Sequence, residues 1–374
     1  METKGLSESI YWKTKGMYIS KPLNVVNGSQ KVNNPDGSEI EKISSEDIVS
    51  DKPEMVKNNC KSFRWVHCVR MEPATTTALS PNTRRRHRKI VVIMGPTGAG
   101  KSRLSIDLAT RFFKNSEIIN SDKMQVYRRL DITTNKITMQ EQHGVRHHLL
   151  GAFDPTQSVV NPHDFRKIAS DAISDITSRR GLPLIVGGSN SFIYSLVTKR
   201  FDPKSDVFNG PNPDPVSSEL RYKCCFIWVD VCLPVLNQYL CKRVDEMLDS
   251  GMLEELSEFF SSGEHLTVKR SGLGQAIGVP ELEAYFRTGN GTESDAVYSE
   301  GVRRIKDNTC QLAKRQVGKI LRLKDGGWDL KRIDATEAFM AVLTADSGGG
   351  RVAEIWEKQV VETSVKIVKQ FLEE

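Results

Sequence analysis

The residues best suited to chemistry stand in one octet, Gly95-Pro96-Thr97-Gly98-Ala99-Gly100-Lys101-Ser102. It satisfies GxxxxGK[ST] in full, with an apolar run before it and a helical pattern after it. Glycines let consecutive backbone N–H groups turn inward, and the following helix N-terminus adds partial positive charge. Lys101 brings a full charge to phosphate oxygens, and Ser102 brings a hydroxyl suited to Mg²⁺. The octet specifies a phosphate ligand without specifying the reaction.

Other polar residues invite chemical readings. Phe226-Ile-Trp-Val-Asp230 has the form of an apolar strand ending in a Mg²⁺-binding Asp, though a turn or capping Asp at a strand end reads the same way and is the preferred reading. Asp122 ends Ile118-Ile119-Asn120-Ser121-Asp122 and is, on spacing alone, as good a helix cap as a base. His147 and His148 lack a partner at metal-ligand spacing, so a packing or hydrogen-bonding role is expected. The seven cysteines form no CxxC pair, which argues against a disulfide framework or zinc finger. Cys224 and Cys225 lie in an apolar run and read as buried thiols of a reducing compartment.

The elements that must position these residues follow from periodicity. Lys89 to Met94 is a short β-branched run bounded by glycine, the pattern of a strand buried on both faces. Ser116 to Asn120, Leu182 to Val186 and Cys224 to Val231 read as further strands. Helical spacing runs over Ser102 to Phe112 and Asp164 to Ser178. This alternation predicts an α/β fold, a P-loop NTPase-like parallel sheet flanked by helices. After Pro234 the texture turns helical, over Leu236 to Asp249, Leu253 to Phe260, Leu282 to Phe286 and Arg303 to Leu323. Val207 to Pro215 reads as a surface loop, and Ala353 to Leu372 as a final helix docked on the body. The expected organisation is a leader over 1–88, a P-loop core over 89–233, a smaller helical region over 234–330 feeding the same active-site channel, and a C-terminal segment and helix over 331–374.

Hydrophobic residues make up 38% of the 374, enough for a sizeable core. The 53 basic residues exceed the 47 acidic by six, an excess that suits an anionic ligand without demanding nucleic acid. No run approaches the ~20 apolar residues of a membrane helix. The leader is rich in Ser, Asn, Lys and Glu, lacks sustained periodicity and ends in a basic run from Arg84 to Lys89. It reads as mostly disordered. Its acids, Glu39, Glu41, Glu46 and Asp47 among them, run against an organelle transit peptide.

Beyond the octet come Asn120-Ser-Asp-Lys-Met-Gln-Val-Tyr127, Asp131-Ile-Thr-Thr-Asn-Lys136, His147-His-Leu-Leu-Gly151 and Gly187-Gly-Ser-Asn-Ser-Phe192. They are followed by Cys224-Cys-Phe-Ile-Trp-Val-Asp-Val231, Arg243-Val-Asp-Glu-Met-Leu-Asp-Ser-Gly251, Ala276-Ile-Gly-Val-Pro280 and Asn308-Thr-Cys-Gln-Leu-Ala-Lys-Arg-Gln316. Together, over about residues 89–330, these blocks resemble the isopentenyltransferase family, and in particular its plant adenylate branch, which begins cytokinin synthesis. The resemblance implies transfer of a dimethylallyl group from dimethylallyl diphosphate to the adenine N6 of ATP or ADP, with AMP as a further acceptor. It implies that the octet holds the donor diphosphate with Mg²⁺ on Ser102, that Thr97 and Arg243 also approach it, and that Asp122 is the general base. Lys314 and Arg315 would lie near the channel and contact phosphate. Without the resemblance, Arg243 reads as a surface partner of Glu246 or Asp249.

The chain makes two departures from the family pattern. Gly274 and Gln275 stand where a basic residue usually precedes Ala-Ile-Gly, which bears on one substrate's phosphates, and Arg146 stands where Pro is usual before the His pair. The rival within the family is a tRNA dimethylallyltransferase; the short span from Gly188 to Cys224 and the lack of a Cys₂His₂ pattern argue against it. The rival outside is a P-loop switch or kinase, which explains the octet and not the later blocks. The expected protein acts on small molecules, binds no stable nucleic acid or membrane, and is a monomer. The resemblance implies a plastid location, with the cytosol as the alternative.

Overall fold

The computed structural model describes residues 88–374, apart from 157–158, 211, 264–265, 267, 269–271, 289–291 and 345–348. The leader expected over residues 1–88 lies outside the described residues but for Arg88. Strands β1 (Lys89–Met94), β2 (Ser116–Asn120), β3 (His147–His148), β4 (Leu182–Gly187), β5 (Lys223–Asp230) and β6 (Leu330–Asp334) form one sheet in the order β3-β2-β4-β1-β5-β6. Every neighbouring pair is parallel, with Val91 of β1 opposite Leu184 on one side and Cys225 on the other.

The helices are α1 (Lys101–Asp107, running on as a π turn to Phe112), α2 (Pro162–Ser178), α3 (Asn190–Val197), α4 (Leu233–Asp249), α5 (Met252–Ser261), α6 (Val279–Thr288), α7 (Thr292–Asp325), α8 (Thr336–Thr344), α9 (Gly349–Trp356) and α10 (Glu362–Glu373). Asn161 opens α2 by accepting a hydrogen bond from the Asp164 amide at 3.0 Å, with Pro162 in the first turn.

Alternate residues of β1 feed two cores. Ile90, Val92 and Met94 pack with Phe165 and Ile173 of α2, whereas Val91 and Ile93 pack with Leu104 of α1 and with Val365 and Val368 of α10. Helices on both faces explain why β1 reads as an unbroken apolar run. Each such fully buried side chain contributes about 1.5–3 kcal/mol. The chain leaves β1 toward β2 on one side and leaves β4 toward β5 on the other. The loops after these neighbouring strands therefore diverge and open a crevice at their carboxyl ends.

The four expected strands are present and two more join them. β3 is a two-residue edge, and β6 adds residues 330–334 to the sheet beside β5. Cys225 is buried and Cys224 partly so, as expected of packed thiols; burial raises both pKa values, that of Cys225 to about 12. Among the described residues no helix is long and apolar enough to cross a membrane.

Candidate active site

The octet forms the turn between β1 and α1. Gly98 holds a left-handed φ of 79°, which favours glycine, and packs closely against α4, where a Cβ would fall 2.6 Å from the end of the Leu240 side chain. The Lys101 ammonium donates to the Pro96 carbonyl at 2.7 Å. Burial lowers its pKa to about 8; the carboxylate of Asp122 acts upward on it and the Arg243 guanidinium downward. One acid and two cations thus meet at the mouth of the turn.

Arg243, on α4, donates through Nη2 to Thr97 Oγ1 at 3.1 Å. This binds it to the phosphate turn; Glu246 acts on it only through its charge. Arg243 Nε is buried with no hydrogen-bond partner among the described residues, an arrangement that costs about 1–3 kcal/mol unless a ligand accepts from it. Burial depresses the guanidinium's pKa while the nearby negative groups oppose that shift.

Asp122 follows β2. Its Oδ1 accepts from the amides of Met124 at 2.9 Å and Gln125 at 3.4 Å, so one oxygen caps a turn, although no helix follows as the capping reading expected. Among the described residues no hydrogen bond reaches Oδ2, and the residue lines the main cavity. Capping and proton transfer are therefore compatible roles of one carboxylate.

That cavity holds about 1190 Å³ and is walled by Thr97, Asp122, Asn190, Arg243, Arg315 and Gln316 among others. Its volume exceeds the roughly 300–1,000 Å³ usual for one small ligand, and so suits two. Gln316 of α7, which the sequence reading passed over in favour of its charged neighbours, ties the wall together. Its Oε1 accepts from the Thr97 amide at 2.7 Å, its Nε2 donates to the Gly188 carbonyl at 3.1 Å, and its own carbonyl accepts from Asn190 Nδ2 at 3.1 Å.

Arg315 lines the cavity as expected, but Lys314 is exposed and off its wall. The inward face of α7 is Leu312, Arg315, Gln316 and Lys319, the spacing of one helix side. Lys319 therefore occupies the position expected of Lys314. Its pKa is lowered by burial first, with Asp206 opposing and Arg315 and Lys123 reinforcing the shift, so three cations share this wall. Ser102 is exposed at the start of α1, and among the described residues no hydrogen bond engages its hydroxyl.

The remaining sequence candidates lie elsewhere. Asp230 is an ion-pair partner of Arg332 on β6 at 2.7 Å, a structural role, though not the turn or capping role preferred for it. His147 Nδ1 pairs with the Val145 carbonyl and His148 Nε2 with Glu117 Oε2, at 2.8 and 2.7 Å. Arg146 is paired with Glu117 at 3.9 Å, outside the cavity, whereas Gln275 lines it. Among the described residues no group of three or more His, Cys, Asp or Glu stands ready to hold a metal.

Comparison with known proteins agrees with this geometry. The IPP transferase family model matches residues 125–212 and 203–319. An adenylate isopentenyltransferase of Humulus lupulus is 55% identical over 298 residues, 75% of this chain and 90% of its own length. Adenylate isopentenyltransferase 1, chloroplastic, of Arabidopsis thaliana is 50% identical over 315 residues, 82% of this chain and 85% of its own. Among solved structures, a eukaryotic dimethylallyltransferase acting on tRNA superposes with a TM-score of 0.62 at 26% identity, covering 76% of this chain and 80% of that one. A full-length tRNA isopentenylpyrophosphate transferase of Bacillus halodurans gives 0.54 at 25% identity, over 74% and 99%.

Proposed function

We propose a function from one premise: the chain belongs to the isopentenyltransferase family. It is a prenyltransferase of the plant adenylate branch. It moves a dimethylallyl group from dimethylallyl diphosphate to N6 of the adenine of ATP or ADP, with AMP as a further acceptor, and releases diphosphate. This is the first step of cytokinin synthesis. The observation that carries the reading is the meeting of Thr97, Arg243 and Asp122 at a cavity large enough for two substrates, with the buried Lys101 ammonium under the influence of the last two.

The donor diphosphate takes the turn after β1. Backbone amides, Lys101 and the Arg243 guanidinium neutralise the charge that grows on the leaving oxygen, which favours the transition state over the ground state. N6 is a weak nucleophile because its lone pair is delocalised into the ring. As it bonds to the prenyl C1 and the C1–O bond breaks, Asp122 Oδ2 takes the N6 proton. The acceptor's phosphates lie against Lys123, Arg315 and Lys319, and Gln275 adds no charge to them. Ser102, whose hydroxyl is unengaged among the described residues, would hold Mg²⁺, which takes few protein oxygens alongside substrate phosphates and water. When bound, the ion neutralises diphosphate charge.

Free nucleotide is preferred over tRNA because the relatives at 50–55% identity are named adenylate enzymes, while those acting on tRNA stand at 25–26%. A labelled-donor assay offering ATP, ADP, AMP and tRNA in parallel tests this; label in tRNA alone would overturn it. The protein works as a monomer. The plastid is its compartment, a reading supported by the chloroplastic names of several relatives, although one of them is named mitochondrial. A fluorescent fusion of residues 1–88 that stays diffuse in the cytosol would refute that location.

A further inference from the structure

The residues matched by the family model end at 319, yet the chain beyond them is built into the phosphate turn. Trp356, the last residue of α9, is 2% exposed. Its indole lies against the backbone of Gly100, the residue before Lys101: a Cβ on Gly100 would come within 2.6 Å of the ring. The indole Nε1–H donates to Asp107 Oδ2 at 3.0 Å, at the far end of α1. The Arg103 guanidinium sits 4.7 Å from the ring centroid, on the same helix. The next residue, Glu357, accepts two hydrogen bonds from Arg111, both at 2.7 Å. One tail segment therefore grips α1 at its first turn, its last turn and the π turn beyond. Trp356 is not on the cavity wall.

We propose that Trp356 is a positioning residue for the donor: its ring seats Gly100 and so aims the amides and ammonium of Gly100 and Lys101 at the diphosphate. Gly100 holds a φ of 85° and, lacking a side chain, has many alternative conformations open to it. A rigid ring against its Cα face removes them before the donor arrives. The hydrogen bond to Asp107 fixes that ring in plane, since an indole held at one edge by a carboxylate and stacked under a guanidinium cannot rock. The alternative reading is plain core packing, for which the ring's size matters and its contact with Gly100 does not.

This inference rests on the reading that the turn holds the donor diphosphate, so the test includes a control for that reading. Full-length Trp356→Leu and Trp356→Phe are compared with the wild type for melting temperature, for the KM of each substrate and for inhibition by inorganic diphosphate. Folded Trp356→Leu should raise the donor KM and the diphosphate inhibition constant about tenfold, with the acceptor KM moving less than about twofold. Trp356→Phe, which keeps a flat ring, should recover most of the loss. A folded Leu variant with unchanged donor KM and diphosphate inhibition would overturn the proposal, as would equal weakening of both substrates. Should the Leu variant not fold, Trp356→Met preserves the apolar volume without the ring and carries the same expected and overturning results. Lys101→Ala is run alongside. If it leaves the donor step intact, the reading of the turn fails; if it cripples that step while the folded tail variants do not, only the role of Trp356 fails.

Discussion

Arg243 Nη2 donates to Thr97 Oγ1 at 3.1 Å, joining α4 to the phosphate turn across 146 positions of sequence. The contact holds one nitrogen of the guanidinium and leaves Nε buried without a partner among the described residues. A planar fork fixed at one corner is prepared to grip a diphosphate with another, a geometry lysine cannot reproduce. Arg243→Lys keeps the charge and loses the fork. It should lower the single-turnover rate about 10²–10³-fold, the range for removing one donor from a site of developing negative charge. Melting temperature should fall modestly, because the bond to Thr97 is lost and a buried ammonium replaces the guanidinium. A rate within about threefold of wild type would mean that charge alone matters at this position.

Lys101 sets a pH dependence with an unusual sign. Burial brings its pKa from 10.5 to about 8. Between those values the unfolded chain binds more protons than the folded one, so this residue's contribution to stability grows as pH rises from 8 to 10.5. Donor capture needs the ammonium and follows the opposite course. The kcat/KM for dimethylallyl diphosphate should fall about tenfold per pH unit above that pKa, since kcat/KM reports the free enzyme. Lys101→Ala should lower the rate by the equivalent of roughly 3–5 kcal/mol in barrier height, by analogy with charge-stabilising groups elsewhere, and flatten this limb of the profile. A limb that persists in the variant belongs to another group.

Gln316 satisfies three separate elements at once: the Thr97 amide, the Gly188 carbonyl and the Asn190 side chain. Gln316→Leu preserves volume and strands the first two. It should destabilise the fold by about 1–3 kcal/mol per unsatisfied group. Because Thr97 also holds Arg243, the donor KM should rise as well. Denaturant titration and steady-state kinetics on one preparation check both effects, and a purely thermodynamic loss would separate Gln316 from donor binding.

Chelation of divalent metal should abolish turnover, and restoring Mg²⁺ should recover it. Ser102→Ala should raise the Mg²⁺ concentration needed for half-maximal rate while leaving the fold intact, because its hydroxyl holds up no other group among the described residues. An unaltered Mg²⁺ dependence in that variant would remove Ser102 from the metal's surroundings.

What could be read from the sequence follows from how each residue is buried. β1 was legible because both faces are covered and every residue from Ile90 to Met94 is apolar and buried. β6 was not: its burial pattern leaves Ile333 alone inside, and one apolar residue has no period. The phosphate turn declared itself because its chemistry is local. The cavity wall on α7 is different. Adjacent charges at Lys314 and Arg315 drew attention, yet a helix turns about 100° per residue, and that step carries Lys314 off the face that Arg315 and Gln316 present to the cavity. Leu312, Arg315, Gln316 and Lys319 do share one, but nothing in the sequence says which face of α7 meets the cavity. The grip of Trp356 on Gly100, and the pairing of Asp230 with Arg332, join positions too far apart for spacing to reveal.

Asp122 carries two roles that one substitution can separate. Its Oδ1 caps the turn at Met124 and Gln125, and the base role falls to Oδ2, to which no hydrogen bond from the described residues runs. Asparagine caps such turns about as well as aspartate. Asp122→Asn should therefore leave the melting temperature almost unchanged. It cannot accept the N6 proton, so the single-turnover rate should fall about 10²–10⁴-fold. Donor binding should change little, because the charge Asp122 lends to Lys101 is the smaller influence on that ammonium after burial. Asp122→Ala removes the cap too, and should add a stability loss of about 0.5–2 kcal/mol to the same chemical defect. The order of the two variants is the discriminating result. If Asn retains full turnover per folded molecule and only Ala is impaired, the residue is a cap and the proton goes elsewhere. If both lose the rate and only Ala loses stability, the carboxylate takes the proton.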